Sequence, residues 1–103
     1  MTKLFRKKKI EIIVEKMFAD ALIEIIEAAG AKGYTVLPEI SGKGSRGIRN
    51  GNQISDVFSN VMIIVIATED VALRIIENSQ EFLEDVAGIV LVSNVEVVRD
   101  EHF

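Results

Sequence analysis

Gly30-Ala-Lys-Gly-Tyr-Thr-Val36 marks the point where a predicted helix ends and a strand begins. Gly30 follows the last helical turn, a position that glycine favours because it adopts left-handed backbone angles readily. The strand leads into Ser41-Gly-Lys-Gly-Ser-Arg-Gly-Ile-Arg49, which holds three cations, three glycines and no acid. Glycine-rich backbone exposes N–H groups, and Lys and Arg add positive charge. We therefore predict an anion-binding loop, with a flexible surface connector as the alternative.

Apolar spacing around this segment predicts four strands and two helices, in the order βαββαβ. Pro38 favours an edge position or the end of the second strand, because proline cannot donate to a sheet ladder. The order is that of a ferredoxin-like α+β domain with an antiparallel sheet, and it spans residues 1–103 as a single domain. The predicted strands cover residues 9–15, 33–40, 58–67 and 88–98, the first helix covers 17–29, the second is capped by Thr68 and includes Phe82, and a long loop covers about 41–57.

Two of the predicted strands are apolar on both of their faces. The runs Val61–Ile66 and Ile89–Val92 contain only apolar residues. Both helices of a ferredoxin-like domain cover one face of the sheet, so the opposite face would be polar if it met water. We therefore expect other copies of the chain to cover this face in an obligate homo-oligomer.

Composition excludes several classes of protein. The chain has 103 residues, a formal net charge of −4 and no cysteine, so disulfides and thiolate metal sites are absent. No apolar run is long enough to span a membrane, and a cytoplasmic location is the default expectation. The predicted central strands, near Ile10–Val14 and Val61–Val65, lack the aromatic side chains on which RNA bases stack. Nucleic-acid binding is disfavoured, and the basic run from Lys3 to Lys9 is predicted to be a solvated tail.

The sequence offers little for catalysis. His102 is the only histidine and lies one residue from the end of the sequence, and no spacing suggests a metal site. We expect no enzymatic activity and no metal. The alternative is a small-molecule enzyme, such as a nucleotidase, that uses acids such as Glu15 or Asp56 to hold a metal.

These motifs together resemble the PII signal-transduction superfamily. The resemblance rests on the βαββαβ order, the turn Gly30–Val36, the segment Gly42–Arg46 and Ala87-Gly-Ile89 at the start of the fourth strand. It is closest to the PII-like branch of SbtB-type regulators and carboxysome-associated PII proteins. It implies a homotrimer that binds an adenine nucleotide, ADP or AMP, at three clefts between subunits. Its loop over about 41–57, the T-loop, changes order with the ligand.

The resemblance also assigns roles to single residues. Tyr34 and Thr35 would lie near the base or ribose, and Arg99 would contact phosphate. Lys43, Arg46 and Arg49 are the candidates for an anion that includes bicarbonate as a second ligand. Phosphate would be held at the root of the T-loop by Gly42, Lys43, Gly44, Ser45 and Arg46, and the facing subunit would offer backbone contacts to the base from Ala87, Gly88 and Ile89.

Signalling in inorganic-carbon metabolism is the function that this resemblance implies. The T-loop would dock on a bicarbonate transporter or a carboxysome-related protein, without membrane insertion. A trimeric scaffold of the metal-tolerance type, on the same fold and without nucleotide binding, is a further alternative. The cations and glycines between Ser41 and Arg49 argue against that scaffold.

Overall fold

A computed structural model describes residues 2–44, 47–49 and 59–103 of the chain. The four long strands and the two helices occur in the predicted βαββαβ order. Two short strands follow the second long strand. A single 3-10 turn, Lys16–Phe18, precedes the first helix. The elements are β1 (Phe5–Glu15), α1 (Ala19–Ala28), β2 (Thr35–Ile40), β3 (Gly42–Gly44), β4 (Gly47–Arg49), β5 (Asn60–Ala67), α2 (Glu69–Phe82) and β6 (Gly88–Val97).

The main sheet has the strand order β2-β5-β1-β6, and neighbouring strands are antiparallel. β2 is an edge strand, which confirms the position that Pro38 predicted. In β5 every second residue is buried, because successive side chains point to opposite faces of a sheet. The buried set of β5 and β1 packs against both helices and forms the core, and it comprises Ile10, Ile12, Val14, Val61, Ile63, Val65 and Ala67.

Each helix contributes a narrow apolar stripe to this core. Leu22 and Ile26 of α1 are fully buried, and so are Ala72 and Ile75 of α2. Both stripes follow the helical spacing of the sequence, which places residues three or four apart on one face. Ser79 of α2 is also fully buried, although its polarity gave no indication of this position.

The end of α1 is fixed by a side chain from α2. The Nε of Arg74 donates to the carbonyl of Ala29 at 3.0 Å, where the helix has no further backbone donor of its own. Gly30 follows with φ of +103°, which confirms the predicted glycine stop. This junction sets the direction in which the chain enters β2.

The cap of α2 differs in detail from the prediction. Thr68 precedes the helix with extended backbone, but its hydroxyl donates to the carboxylate of Asp70 at 2.7 Å and makes no hydrogen bond to a helix N–H. A hydroxyl donates to a carboxylate and accepts from an N–H, and of these two contacts Thr68 makes only the charge-assisted one to Asp70. This hydrogen bond is the main reason that the pKa of Asp70 is lowered from 3.8.

The prediction of a solvated basic tail was wrong. β1 begins at Phe5, and the cations that follow it are paired with β6 along the strand. Lys7 forms an ion pair with Asp100, and Lys8 donates to Asn94 at 2.6 Å. Long cationic side chains are stable at a strand end when residues across the strand accept hydrogen bonds from the ammonium groups and water solvates the rest of the charge.

The sheet face opposite the helices carries many apolar side chains, and we call it the open face. The register places Met62, Ile64 and Ile66 on this face. From the edge strands it receives Leu37, Ile89 and Leu91, all exposed in the single chain. The apolar character predicted for both faces is therefore confirmed, and its cover by other subunits stays a prediction. Across residues 2–44, 47–49 and 59–103, neither helix has the length and apolar character needed to cross a bilayer.

Candidate nucleotide-binding site

Tyr34 and Thr35 lie at the entrance to the edge strand β2. Both side chains are exposed, and Tyr34 keeps 42% of its surface accessible. The first rung of β2 pairs Thr35 with Ile64 of β5, which places Thr35 on the open face. The two residues are thus available to a ligand that approaches this edge of the sheet.

A bulge lies at the other end of β2, directly before the predicted loop. The register with β5 shifts between Leu37 and Ile40, and Glu39 has φ of +55°. Left-handed backbone is strained for a residue with a side chain, and bulges with such strain occur often beside functional sites. Sequence reasoning missed Glu39, although Pro38 is a signal for a bulge in a strand.

The glycine-rich segment has more structure than a loop without regular elements. Its strands β3 and β4 form an antiparallel pair in which Gly42 lies opposite Arg49, Lys43 opposite Ile48, and Gly44 opposite Gly47. Strands of glycine and polar residues show no alternation of apolar residues, so the sequence pattern could not reveal them. The register places Lys43 and Arg49 in neighbouring rows of one hairpin. Ser45 and Arg46 lie outside the described residues, as do positions 50–57 of the predicted T-loop and position 58, the predicted start of the third strand.

Ala87, Gly88 and Ile89 lie where β6 begins, and all three are exposed. Gly88 pairs with Val14 of β1. A Cβ atom at Gly88 would lie 2.8 Å from a methyl group of Leu83, 2.9 Å from one of Val14 and 3.2 Å from the carbonyl oxygen of Ile13. Close packing therefore requires glycine here, whatever else its backbone contacts.

The topology separates the predicted base-binding residues of a single chain. β2 and β6 are the two outer strands, with β5 and β1 between them. Three inter-strand spacings give a separation of about 14 Å between the strand of Thr35 and the strand of Ile89. One chain therefore does not bring Thr35 and Ile89 into contact with each other.

Arg99 lies beyond the other end of β6. The strand from Gly88 to Val97 spans roughly 30 Å, and Arg99 lies two residues beyond it, after a bend at Val98. Its neighbours in sequence make their own contacts, since Asp100 pairs with Lys7 and Glu101 lies 3.9 Å from the ring of His102. Arg99 is exposed and is not part of a site with Gly88 of the same chain.

Metal binding finds no support in the part of the chain that the structure describes. Outside positions 1, 45–46 and 50–58, no three His, Asp or Glu side chains cluster in a way that could hold an ion. Asp56, one of the acids in the enzyme alternative, lies outside the described residues. The predicted site residues carry hydroxyl groups, backbone amides and cations, which are groups that suit a phosphate-bearing ligand.

Solved structures with this fold include close relatives of the chain. CPII, a nitrogen regulatory PII-like protein from Thiomonas intermedia K12, bound to ADP, AMP and bicarbonate, is 34% identical, with a TM-score of 0.89 over 96% of this chain and 94% of that chain. A PII-like signalling protein from Thermus thermophilus is 37% identical, with a TM-score of 0.81 over 96% of each chain.

A more distant likeness supports the fold alone. The GlnK–ATP complex of B. subtilis is 14% identical, with a TM-score of 0.60 over 87% of this chain and 84% of that chain.

The family model for the nitrogen regulatory protein P-II matches residues 7–102. That match covers nearly the whole chain and agrees with the sheet order and the helices described above. The chain therefore belongs to the P-II family.

Proposed function

We propose that the protein is a PII-like regulator, not an enzyme, that binds ADP or AMP at clefts between the subunits of a homotrimer. Trimers that bind adenine nucleotides are typical of PII proteins, which are signalling regulators. The relative CPII has been solved with ADP, AMP and bicarbonate bound. This ligand set fits a site of cations and exposed backbone.

One observation carries the proposal: the predicted ligand-binding residues lie on opposite edges of one sheet. Thr35 lies on β2, whereas Ile89 lies on β6, with two strands between them. Residues at two separate edges form one cleft only when two copies meet. The apolar open face supplies the surface on which copies associate.

In this cleft Tyr34 and Thr35 contact the base or ribose from one subunit. Backbone groups of Ala87–Ile89 contact the base from the next subunit. Arg99 lies too far from Gly88 to act in one site with Gly88 of the same chain. The segment that carries Arg99 would therefore be a third contributor to the cleft, and assembly would bring it to the phosphate. Lys43, Arg46 and Arg49 hold phosphate and bicarbonate at the root of the T-loop.

Ligand binding would act through the order of the T-loop. Negative charge on the cations between Ser41 and Arg49 shifts the population of loop conformations, which exposes or hides a surface for a partner. We propose inorganic-carbon metabolism as the setting, with a bicarbonate transporter or carboxysome-related protein as the partner. A cytoplasmic location agrees with the absence of cysteine.

Calorimetry with ADP and AMP, each with and without bicarbonate, tests the proposal. Arg46→Ala removes a charge-assisted contact and should weaken nucleotide binding by about 1.5–3 kcal/mol. Lys3→Ala removes an exposed cation near the start of β1, outside the candidate site, and should leave the affinity unchanged. Unchanged affinity in Arg46→Ala would remove that residue from the site.

Two further outcomes would replace the proposal. Sustained turnover of ATP or ADP with magnesium would favour the enzyme alternative. A trimer that binds none of these nucleotides would favour the scaffold alternative.

A further inference from the structure

The open face carries two opposite charges among its apolar side chains. Lys9 and Glu11 both lie on β1, an inner strand of the sheet, and both point to this face. The register places Glu11 between Ile64 and Leu91, and Lys9 between Ile66 and Ser93. Both side chains are half-buried before any second copy is present.

Neither charge has a partner within the part of the chain that the structure describes. No hydrogen bond or ion pair involves Lys9 or Glu11 among residues 2–44, 47–49 and 59–103. The adjacent cations differ in this respect. Lys7, on the same face, is paired with Asp100, and Lys8, on the helix side, donates to Asn94.

Covering the open face would remove water from both charges. An unpaired charge in an apolar interface is strongly unfavourable, so each needs an opposite charge from the covering surface. A second copy of this chain brings its own lysine and glutamate on the same face, two residues apart along β1. In a ring, position 9 of each copy can meet position 11 of the next, which leaves no charge unpaired.

We propose that Lys9 of one copy forms an ion pair with Glu11 of the neighbouring copy, within the interface that covers the open face. This inference rests on the trimer of the proposed function and adds the residues that set its geometry. The remaining charges on the face do not compete, because Lys7 is paired with Asp100, and Glu15 lies at the far end of β1 and already interacts elsewhere. The apolar neighbours supply the surface that is buried between the copies, and the ion pair fixes which residues of the two open faces lie opposite each other.

Charge reversal tests the pairing. Lys9→Glu and Glu11→Lys should each raise the concentration at which half of the protein dissociates by about tenfold or more, because like charges then face each other. The double variant K9E/E11K restores the attraction with exchanged signs, and its midpoint should return to within about threefold of wild type. Sedimentation velocity and native mass spectrometry measure both quantities.

Two matched controls reverse charges away from the open face. Lys8→Glu changes the neighbouring lysine on the helix side, and Glu24→Lys changes an exposed acid of α1. Neither should move the dissociation midpoint. Separately purified K9E and E11K chains, when mixed, should form mixed oligomers in preference to their own.

Several results would overturn the pairing. One is a wild-type dissociation midpoint in both single variants. Another is a double variant whose midpoint is raised by as much as the effects of the two single variants combined. Equal or tighter assembly of Glu11→Gln would likewise show that the carboxylate has no cationic partner. These outcomes leave the trimer and its nucleotide site intact, whereas a monomeric wild type would contradict the proposed assembly itself.

Discussion

The two faces of the main sheet are made from the same kind of residue but have different fates. On the helix side, Ile10, Ile12 and Ile63 are fully buried by α1 and α2. On the open face, Ile89 and Leu91 keep 54% and 46% of their surface exposed. The first face is completed by the chain itself, and we propose that another copy covers the second. A strand that is apolar on both sides thus predicts one core within the chain and another between copies.

Substitution on the two faces of one strand gives the strongest test of this contrast. Ile63→Ala removes a fully buried side chain on the helix side and should lower the free energy of unfolding by about 2–5 kcal/mol. Ile64→Ala, one residue along on the open face, should have a smaller effect on the isolated chain and a larger one on assembly. Urea unfolding over a range of protein concentrations separates the two effects. Equal, concentration-independent losses would abolish the distinction between the faces.

A charge placed on the open face should prevent association. Leu91→Glu puts an acid beside Glu11, and we expect the dissociation midpoint to rise by at least about tenfold. Leu73→Glu, at a residue of α2 that is 55% exposed, is the matched control and should leave assembly unchanged. Light scattering on both variants measures the difference. Dissociation of the Leu73 variant instead would move the interface to the helix side.

Adding a single methyl group should affect the stability of the fold differently at the start of β6 and before β2. Gly88→Ala should destabilise the fold by about 1–3 kcal/mol, because the added methyl would overlap Leu83 and Val14. Gly33→Ala, before β2, adds a methyl that meets nothing within 4 Å and should be nearly neutral. Thermal unfolding of both variants checks this prediction. A neutral Gly88→Ala would mean that Leu83 moves aside.

A smaller gain in stability is expected within the helix layer. The hydroxyl of Ser79 is fully buried and has no hydrogen-bond partner in the described part of the chain. Ser79→Ala removes this unsatisfied group and should stabilise the fold by about 1 kcal/mol. Ser93→Ala on the exposed part of β6 is the control. A loss of stability in the Ser79 variant would show that the hydroxyl does have a partner.

The smallest effect concerns Asp70 at the start of α2. The hydrogen bond from Thr68 lowers the pKa of Asp70 in the folded protein below 3.8. The resulting stabilisation is present above pH 3.8 and is lost as the pH falls through the lowered folded pKa. The difference in free energy of unfolding between wild type and Asp70→Asn should therefore become smaller as the pH is lowered. Urea midpoints measured from neutral pH down to acid pH test this, and a constant difference would contradict it.

Much of the fold was predictable because its signals are local. The alternation along β5, the stripes of α1 and α2 and the stop at Gly30 all depend on residues close in sequence. The first residues of β1, before Lys9, were missed because Arg6–Lys8 have the composition of a tail, and their pairing comes from the distant strand β6 and, at Lys8, from β5 as well. The hairpin of β3 and β4 was missed because its glycines carry no pattern.

The candidate site was predictable only in its parts. The cations of the glycine-rich segment and the turn at Tyr34 are visible in the sequence, and their resemblance to PII proteins indicated a nucleotide. The strain at Glu39 and the packing that requires glycine at Gly88 depend on distant segments, because the bulge of β2 forms against β5 and Gly88 packs against Val14 of β1. No spacing along the chain reports such contacts.

By itself the sequence determined the order of the four long strands and two helices, the apolar character of both sheet faces and the cations and glycines between Ser41 and Arg49, because these follow from local periodicity and composition. Only the tertiary structure decided which residues share a face and which share an edge. The strand order places Thr35 and Ile89 at opposite edges of the sheet, and the register aligns Lys9 and Glu11 on the open face. Strand order and register are set by backbone pairing between distant segments, which is why the sequence pattern left them undetermined.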